Sequence, residues 1–232
     1  VIGLPKHCSG LIHPRIEDIA DMSFEDAVEN EIRGAHIFHG DDVIVLHADS
    51  CKSLVLDRSV VDRMLAESAE AAGADIRRGE GARTFERRAD GISVNDVKCR
   101  ILLGADGMRG RVAGSFGLSE RGEIIRGLQC NARFMARDRD SVQVYFGRDV
   151  APGFFAWVIP TSEEECRIGL GVNSGSASAY LKKLLQRLGA EPYETFGGGI
   201  PIGLRRKSYC ERVMLVGDAA MQVKPISGGG VN

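Results

Sequence analysis

Net charge is nearly absent from this chain. Thirty Lys and Arg residues stand against 32 Asp and Glu among 232 residues, a formal charge of −2. A nucleic-acid binder working through bulk charge is thereby disfavoured. No apolar run approaches the roughly 18 residues that a membrane-crossing helix needs, and the opening residues lack the pattern of a secretory leader. The six cysteines, Cys8, Cys51, Cys99, Cys130, Cys166 and Cys210, form no C-x-x-C pair and have no histidine at ligand spacing. That scatter argues against zinc and any other metal centre and favours reduced, half-buried thiols. No G-x-G-x-x-G turn occurs, and Gly79-Glu80-Gly81 imitates only its first half. Tryptophan appears once, as Trp157. With 44% hydrophobic residues, the chain still has material for a sizeable core.

The most telling segment is the last. Val213-Met214-Leu215-Val216 is an apolar run of strand length that ends in Gly217-Asp218-Ala219-Ala220, then Pro225 and Gly228-Gly229-Gly230-Val231-Asn232. Glycines without Cβ atoms let a backbone come close to a flat polar ligand. Asp218 is placed at the strand end to accept from hydroxyl groups, and a helix beginning after the glycines would turn its positive end toward an anion. A buried strand with a glycine-rich turn also occurs where no cofactor binds. A second segment repeats the arrangement: Ile101-Leu102-Leu103-Gly104-Ala105-Asp106-Gly107, followed by Arg109 and Arg111. Two strand-then-acidic-turn segments suit a nucleotide cofactor gripped from two sides, at the carboxyl ends of parallel strands. The Arg109/Arg111 and Arg205-Arg206-Lys207 clusters read as solvated faces.

Periodicity places a helix from Asp57 onward, with Val60, Val61, Met64, Leu65, Ala69 and Ala72 on one face and Gly73 as its stop. A short strand is expected at 74–76, and a buried one at Val43-Ile44-Val45-Leu46. Ile92 to Val97 reads as strand and turn, Gln129 to Met135 and Val142 to Phe146 as strands. Ala177 to Leu188 reads as a helix with Leu181, Leu184, Leu185 and Leu188 aligned. The expected organisation is mixed α/β. Segments 57–117 and 209–232 form a cofactor-binding α/β layer. Segments 34–56 and 118–208 form a mostly antiparallel sheet for substrate, and 1–33 is a loop and helix segment near both.

Gly104-Ala105-Asp106-Gly107 and the Gly217 to Gly230 segment together resemble the two flavin motifs of the para-hydroxybenzoate hydroxylase fold. Within it, the chain is similar to the geranylgeranyl reductases, above all the archaeal type acting on digeranylgeranylglycerophospholipids. That narrower resemblance rests on Phe154-Phe155-Ala156-Trp157-Val158-Ile159-Pro160 with Ile168 to Val172, and on Pro5-Lys6-His7-Cys8-Ser9-Gly10. It implies an α/β layer of the glutathione-reductase type, missing its first G-x-G-x-x-G unit and its last helices, so that the chain reads as an internal fragment. It implies FAD held by Asp106, Gly107, Asp218, Pro225, Gly228, Gly229, Gly230, Val231 and Asn232, with Arg58 at the pyrophosphate or adenosine portion. Flavin would deliver hydride to a prenyl carbon–carbon double bond, with Cys8 as proton donor or gate and His7 tuning it. Phe154, Phe155, Trp157 and Pro160 would line the isoprenoid tunnel. Residue by residue, plainer readings stay open: Cys8 as a small packed hydrophobe, Arg58 as a surface cation, Trp157 as core. Partners implied are an isoprenoid lipid and an electron donor, NAD(P)H or ferredoxin, in the cytoplasm, with peripheral membrane association open. A flavin monooxygenase of the same fold and an inactive fragment are the alternatives.

Overall fold

In the computed structural model, which describes residues 2–4, 6, 8–118, 122–224 and 226–230, helix boundaries follow from single residues. The Asp57 carboxylate accepts from the Ser59 N–H at 2.8 Å and starts the helix at Arg58. Ser176 caps the helix at 177–188 through Ala179 N–H, and Gly189 ends it in a left-handed conformation at φ 69°.

In chain order the elements begin β1 (Leu11–Ile12), α1 (Ile16–Ala20), β2 (Val28–Ile32), β3 (Gly34–His39), β4 (Asp42–His47), β5 (Ser53–Leu56) and α2 (Arg58–Ala71). Next come β6 (Phe85–Arg87), β7 (Ile92–Val94), β8 (Val97–Cys99), β9 (Leu102–Gly104) and α3 (Val112–Ser115). The remainder is β10 (Glu123–Arg133), β11 (Ser141–Phe146), β12 (Ala156–Pro160), β13 (Glu165–Val172), α4 (Ala177–Leu188), β14 (Glu191–Ile202), β15 (Tyr209–Cys210) and β16 (Val213–Leu215). The chain divides into two compact units, residues 1–76 with 125–198 and residues 77–124 with 199–231.

The first unit holds most of a seven-stranded sheet ordered β14-β10-β13-β12-β11-β3-β4. Its registered pairs are antiparallel apart from β3 with β11. Alternation along the strands divides its residues between two faces. Cys130, Ala156, Val158, Ile168 and Leu170 point to one face and are buried beneath Leu181 and Leu184 of α4. On the opposite face, Val142 and Ile159 pack with Ile32 and Val55 of the small β1-β5-β2 sheet, and Trp157, Val144, Ala35 and Leu11 border that cluster. α2 lies on the small sheet through Val61, packed with Phe24, Leu54 and Leu56.

In the second unit, β9 and β16 run parallel in a β15-β16-β9 sheet, with Val213 opposite Leu102 and Leu215 opposite Gly104. Ile92, Val112, Ala113, Leu118, Val213 and Leu215 form its core. Both acidic turns thus leave the same end of adjacent parallel strands, as their pattern suggested.

Three expectations need correction. Val43 to Leu46 form β4, but at the edge of the large sheet, each with 50–61% of its surface exposed. An apolar run says that a strand forms; whether a neighbour covers it depends on its place in the sheet. Residues 74–76 carry no strand. Leu65, expected on the packed face of α2, is 42% exposed.

Candidate functional site

Cys8 sits in a loop that other residues hold in place. The Gly10 N–H donates to its Sγ at 3.4 Å, and the Arg58 guanidinium lies near enough to couple electrostatically with the sulfur. Arg58 is fixed by Asp62, one turn further along α2, at 2.7 Å. Burial pulls the Arg58 pKa down, yet Cys8 and Asp62 outweigh it and hold it above its ordinary value. Lys6 binds Asp57 at 2.8 Å, so the loop is also tied to the helix cap. Burial alone would raise Asp57; hydrogen bonds from Lys6 and Ser59 overcome it and bring its pKa to about 2.

A carboxyl depressed on folding stabilises above its unfolded pKa and loses that contribution as pH falls through the folded value. Wild-type Tm is therefore expected to drop between pH about 4 and the folded value of about 2. Asp57→Asn should show a smaller drop across that window; equal acid titrations of the two proteins would refute the tie.

Beneath the loop lies Arg167, 4% exposed, in the middle of β13. Its Nη1 donates to the carbonyls of Ser9 (2.9 Å) and Leu56 (3.1 Å), and its Nη2 meets Glu29 Oε2 at 2.5 Å. Burial raises the Glu29 pKa, and Arg167 opposes that rise. Gly10 is required here. It has φ +76°, and a Cβ on it would fall 2.3 Å from the Leu56 carbonyl oxygen.

On the same sheet face as Arg167, two residues along β13, Gly169 faces Trp157 of β12 on one side and Gln129 of β10 on the other. A Cβ at Gly169 would lie 2.6 Å from the indole, so the ring rests directly on the glycine. Gly171 likewise lies under Phe154. Phe154 stacks on Phe155 at 4.3 Å, and Phe155 meets Trp157 edge-on at 5.9 Å. All three rings are half-buried. The result is an aromatic trough on a glycine floor, on the sheet face that also carries the Cys8 loop. Pro160 closes β12, buried, with its carbonyl accepting from Asn30 at 3.0 Å.

In the second unit, one Asp106 oxygen accepts from Val112 N–H at 3.0 Å and so organises the start of α3. Gly110 is packed so closely on the Asp106 carboxylate that a Cβ there would lie 2.0 Å from Cγ. Gly107 opens the turn at φ +70°. The turn borders a cleft of about 450 Å³ with Leu102, Gly104, Arg109 and Arg111.

Asp218 lies in a one-turn 3-10 helix, Gly217–Ala220, three residues beyond β16. Its side chain is exposed, yet the surrounding turn desolvates it enough to raise its pKa. Among the described residues nothing donates to its carboxylate, and Gly230 lies against it, with a Cβ position 3.3 Å from Oδ1. Gly228 and Gly229 fold back on Lys224 through bonds of 2.8 and 3.0 Å. Arg205, read as a solvated cation, instead donates to the carbonyls of Ala219 (2.7 Å) and Leu118, and so braces the Asp218 turn. His7, Pro225, Val231 and Asn232 lie outside the described residues.

Cys8 and Arg58 are thus brought together, as are the three aromatic rings, and Asp218 with Gly230. No site role was read from the sequence for Arg167, Glu29, Lys6 or Gln129, and Asp57 was read only as the start of a helix. The usable signal was a charge or amide inside an apolar strand, as in Cys166-Arg167-Ile168 and Leu128-Gln129-Cys130. All six cysteines carry free thiols.

Residues 123–198 match the family model described as the geranylgeranyl reductase catalytic domain. The chain is 31% identical to digeranylgeranylglycerophospholipid reductase of Methanocaldococcus jannaschii, over 99% of this chain and 64% of that protein. It is 29% identical to digeranylgeranylglycerophospholipid reductase 1 of Methanopyrus kandleri, over 100% of this chain and 68% of that protein. A geranylgeranyl bacteriochlorophyll reductase-like structure from Thermoplasma acidophilum superposes with a TM-score of 0.89 at 26% identity, covering 99% of this chain and 65% of that one. The flavin-dependent halogenase CmlS, at 15% identity and TM-score 0.73, shares the fold. The fold is accordingly the mixed α/β type of para-hydroxybenzoate hydroxylase, and the chain spans about 64% of its M. jannaschii relative.

Proposed function

We propose, from the similarity of this chain to the geranylgeranyl reductase family, that the intact protein is an FAD-dependent reductase of isoprenoid carbon–carbon double bonds. Its substrates are the geranylgeranyl chains of membrane lipids or their precursors. The observation that carries the reading is one sheet face bearing both a pinned thiol loop and a glycine-floored aromatic trough.

The residues at the two acidic turns suit a flavin nucleotide. Asp218 has a carboxylate without a donor among the described residues, open to hydroxyl donors of the ribityl chain, and Gly230 allows close backbone approach. Asp106 spends one oxygen on α3, so the Asp106-Gly107 turn serves the pyrophosphate side through its backbone. FAD, when bound, supplies the hydride. The chain's own part is to hold the alkene and to move a proton. Phe154, Phe155 and Trp157 exclude water and fit a flat, branched hydrocarbon. Cys8 gives the proton to the second carbon, and the Gly10 N–H and Arg58 guanidinium meet the charge left on sulfur. Arg58, a candidate for the cofactor's pyrophosphate or adenosine portion, takes this second role through its contact with Cys8. An electron donor must renew the reduced flavin; NAD(P)H and ferredoxin both suit. Among the described residues no helix is long and apolar enough to cross a membrane; we place the encounter with a lipid substrate in peripheral association at the cytoplasmic face.

The test is anaerobic incubation of the FAD-loaded protein with a digeranylgeranyl lipid and dithionite, followed by mass spectrometry. Saturated product is expected, and Cys8→Ser should retain FAD while slowing reduction by roughly 10²-fold or more. Oxygen-dependent formation of a hydroxylated product would instead make the protein a monooxygenase. Wild-type turnover in Cys8→Ser would reduce Cys8 to a packing residue.

A further inference from the structure

Gln129 is 4% exposed, in the middle of β10, on the trough face of the sheet. Its Oε1 accepts from the Trp157 indole N–H at 3.3 Å. An indole N–H can only donate, so this contact fixes which end of the amide is oxygen. The other end, Nε2, is buried and meets no acceptor among the described residues. It is the one such side-chain atom found among them. Leaving a donor buried without a partner costs about 1–3 kcal/mol, and a leucine or methionine of similar size would avoid that cost. Trp157 cannot satisfy the amide, and Gly169, the residue between them, offers only backbone already used in the β10–β13 and β12–β13 ladders.

We infer that Gln129 determines specificity by pairing its free amide N–H with an uncharged oxygen of the bound ligand, while its carbonyl holds the ring on which the ligand lies. The inference rests on the prenyl reductase reading, which it deepens. A hydrocarbon chain offers no acceptor, so the oxygen is the hydroxyl or ether oxygen at the head of the prenyl chain. The nearest double bond of an allylic prenyl group lies one carbon from that oxygen. Holding the oxygen at Gln129 therefore presents this bond beside Trp157. A phosphate or carboxylate fits poorly. The nearest buried cation on this face, Arg167, is already taken up by Glu29, Ser9 and Leu56, and an uncompensated anion would bear its full desolvation cost.

Because Trp157 is the only tryptophan among the 232 residues, its fluorescence reports on this trough without any need for turnover. The test titrates the full chain with geranylgeraniol and with the matching hydrocarbon that carries hydrogen in place of the hydroxyl. Both should change the emission, and the alcohol should bind roughly tenfold more tightly. Gln129→Met should bind the two about equally. Equal affinities in the wild type would overturn the role of Gln129, a bound water then meeting the amide, while leaving the prenyl reading in place. No emission change with either ligand would overturn both. The wild-type comparison decides the matter even if the variant does not fold.

Discussion

Arg167→Met is expected to lower unfolding stability by about 3 kcal/mol, near the lower end of what breaking a buried ion pair costs. The lower end applies because Glu29 retains 29% of its side-chain exposure while Arg167 keeps 4%. The loss has two parts. Two carbonyls, on Ser9 and Leu56, lose a charged donor, and Glu29 is left without its counter-charge. A cycle with Glu29→Gln separates these parts, since the double variant should be less damaged than the sum of the singles. Strict additivity would show that the pair does not act as a unit.

The pH dependence has a definite sign. Burial already raises the Glu29 carboxyl, and Arg167 is the largest influence opposing it. Without Arg167 the carboxyl rises further. A carboxyl raised on folding favours the folded state below its unfolded pKa, and this gain disappears as pH climbs through the folded value. The deficit of Arg167→Met should therefore shrink toward pH about 4 and be full at neutral pH. A deficit constant across that range would mean that Glu29 plays no part. Alkylation of Cys8, followed peptide by peptide, should accelerate in the variant because its loop has lost the anchor at Ser9.

The contrast between what could and could not be read from the residues has a consistent physical cause. α4 was readable to its ends because Ser176 and Gly189 act on neighbouring backbone. α2 was readable at its start because Asp57 does the same. The two acidic turns were readable because short strands ending in small residues leave few other conformations. What escaped depends on partners distant in sequence. The exposure of β4 is decided by its edge position. Arg167 touches Ser9 across 158 positions and Glu29 across 138, and no local pattern encodes those meetings. Arg205 escaped for the same reason, its contacts at Leu118 and Ala219 turning an Arg-Arg-Lys surface run into a brace. Of the site, the residue types were readable, but the device holding Cys8 was not.

Asp218→Ala is expected to weaken FAD binding by roughly 10–100-fold, the worth of charge-assisted hydrogen bonds to one carboxylate, without unfolding the chain. A purely structural carboxylate would be hydrogen-bonded within the protein, as Asp57 and Asp106 are. Asp218 has no donor among the described residues, and desolvation raises its pKa. A carboxyl raised in this way adds stability only below its unfolded pKa and loses it as pH rises. At neutral pH its charge is a burden that only a ligand's hydroxyl groups relieve. The ligand-free variant should therefore melt no lower than wild type at neutral pH, whereas the FAD-loaded proteins should differ. Flavin absorbance remaining after desalting measures the first effect and thermal melts with and without FAD the second. Undiminished flavin retention would remove Asp218 from the cofactor site. A lower Tm in the ligand-free variant would mean that the carboxylate supports the turn itself, as Asp106 does for α3.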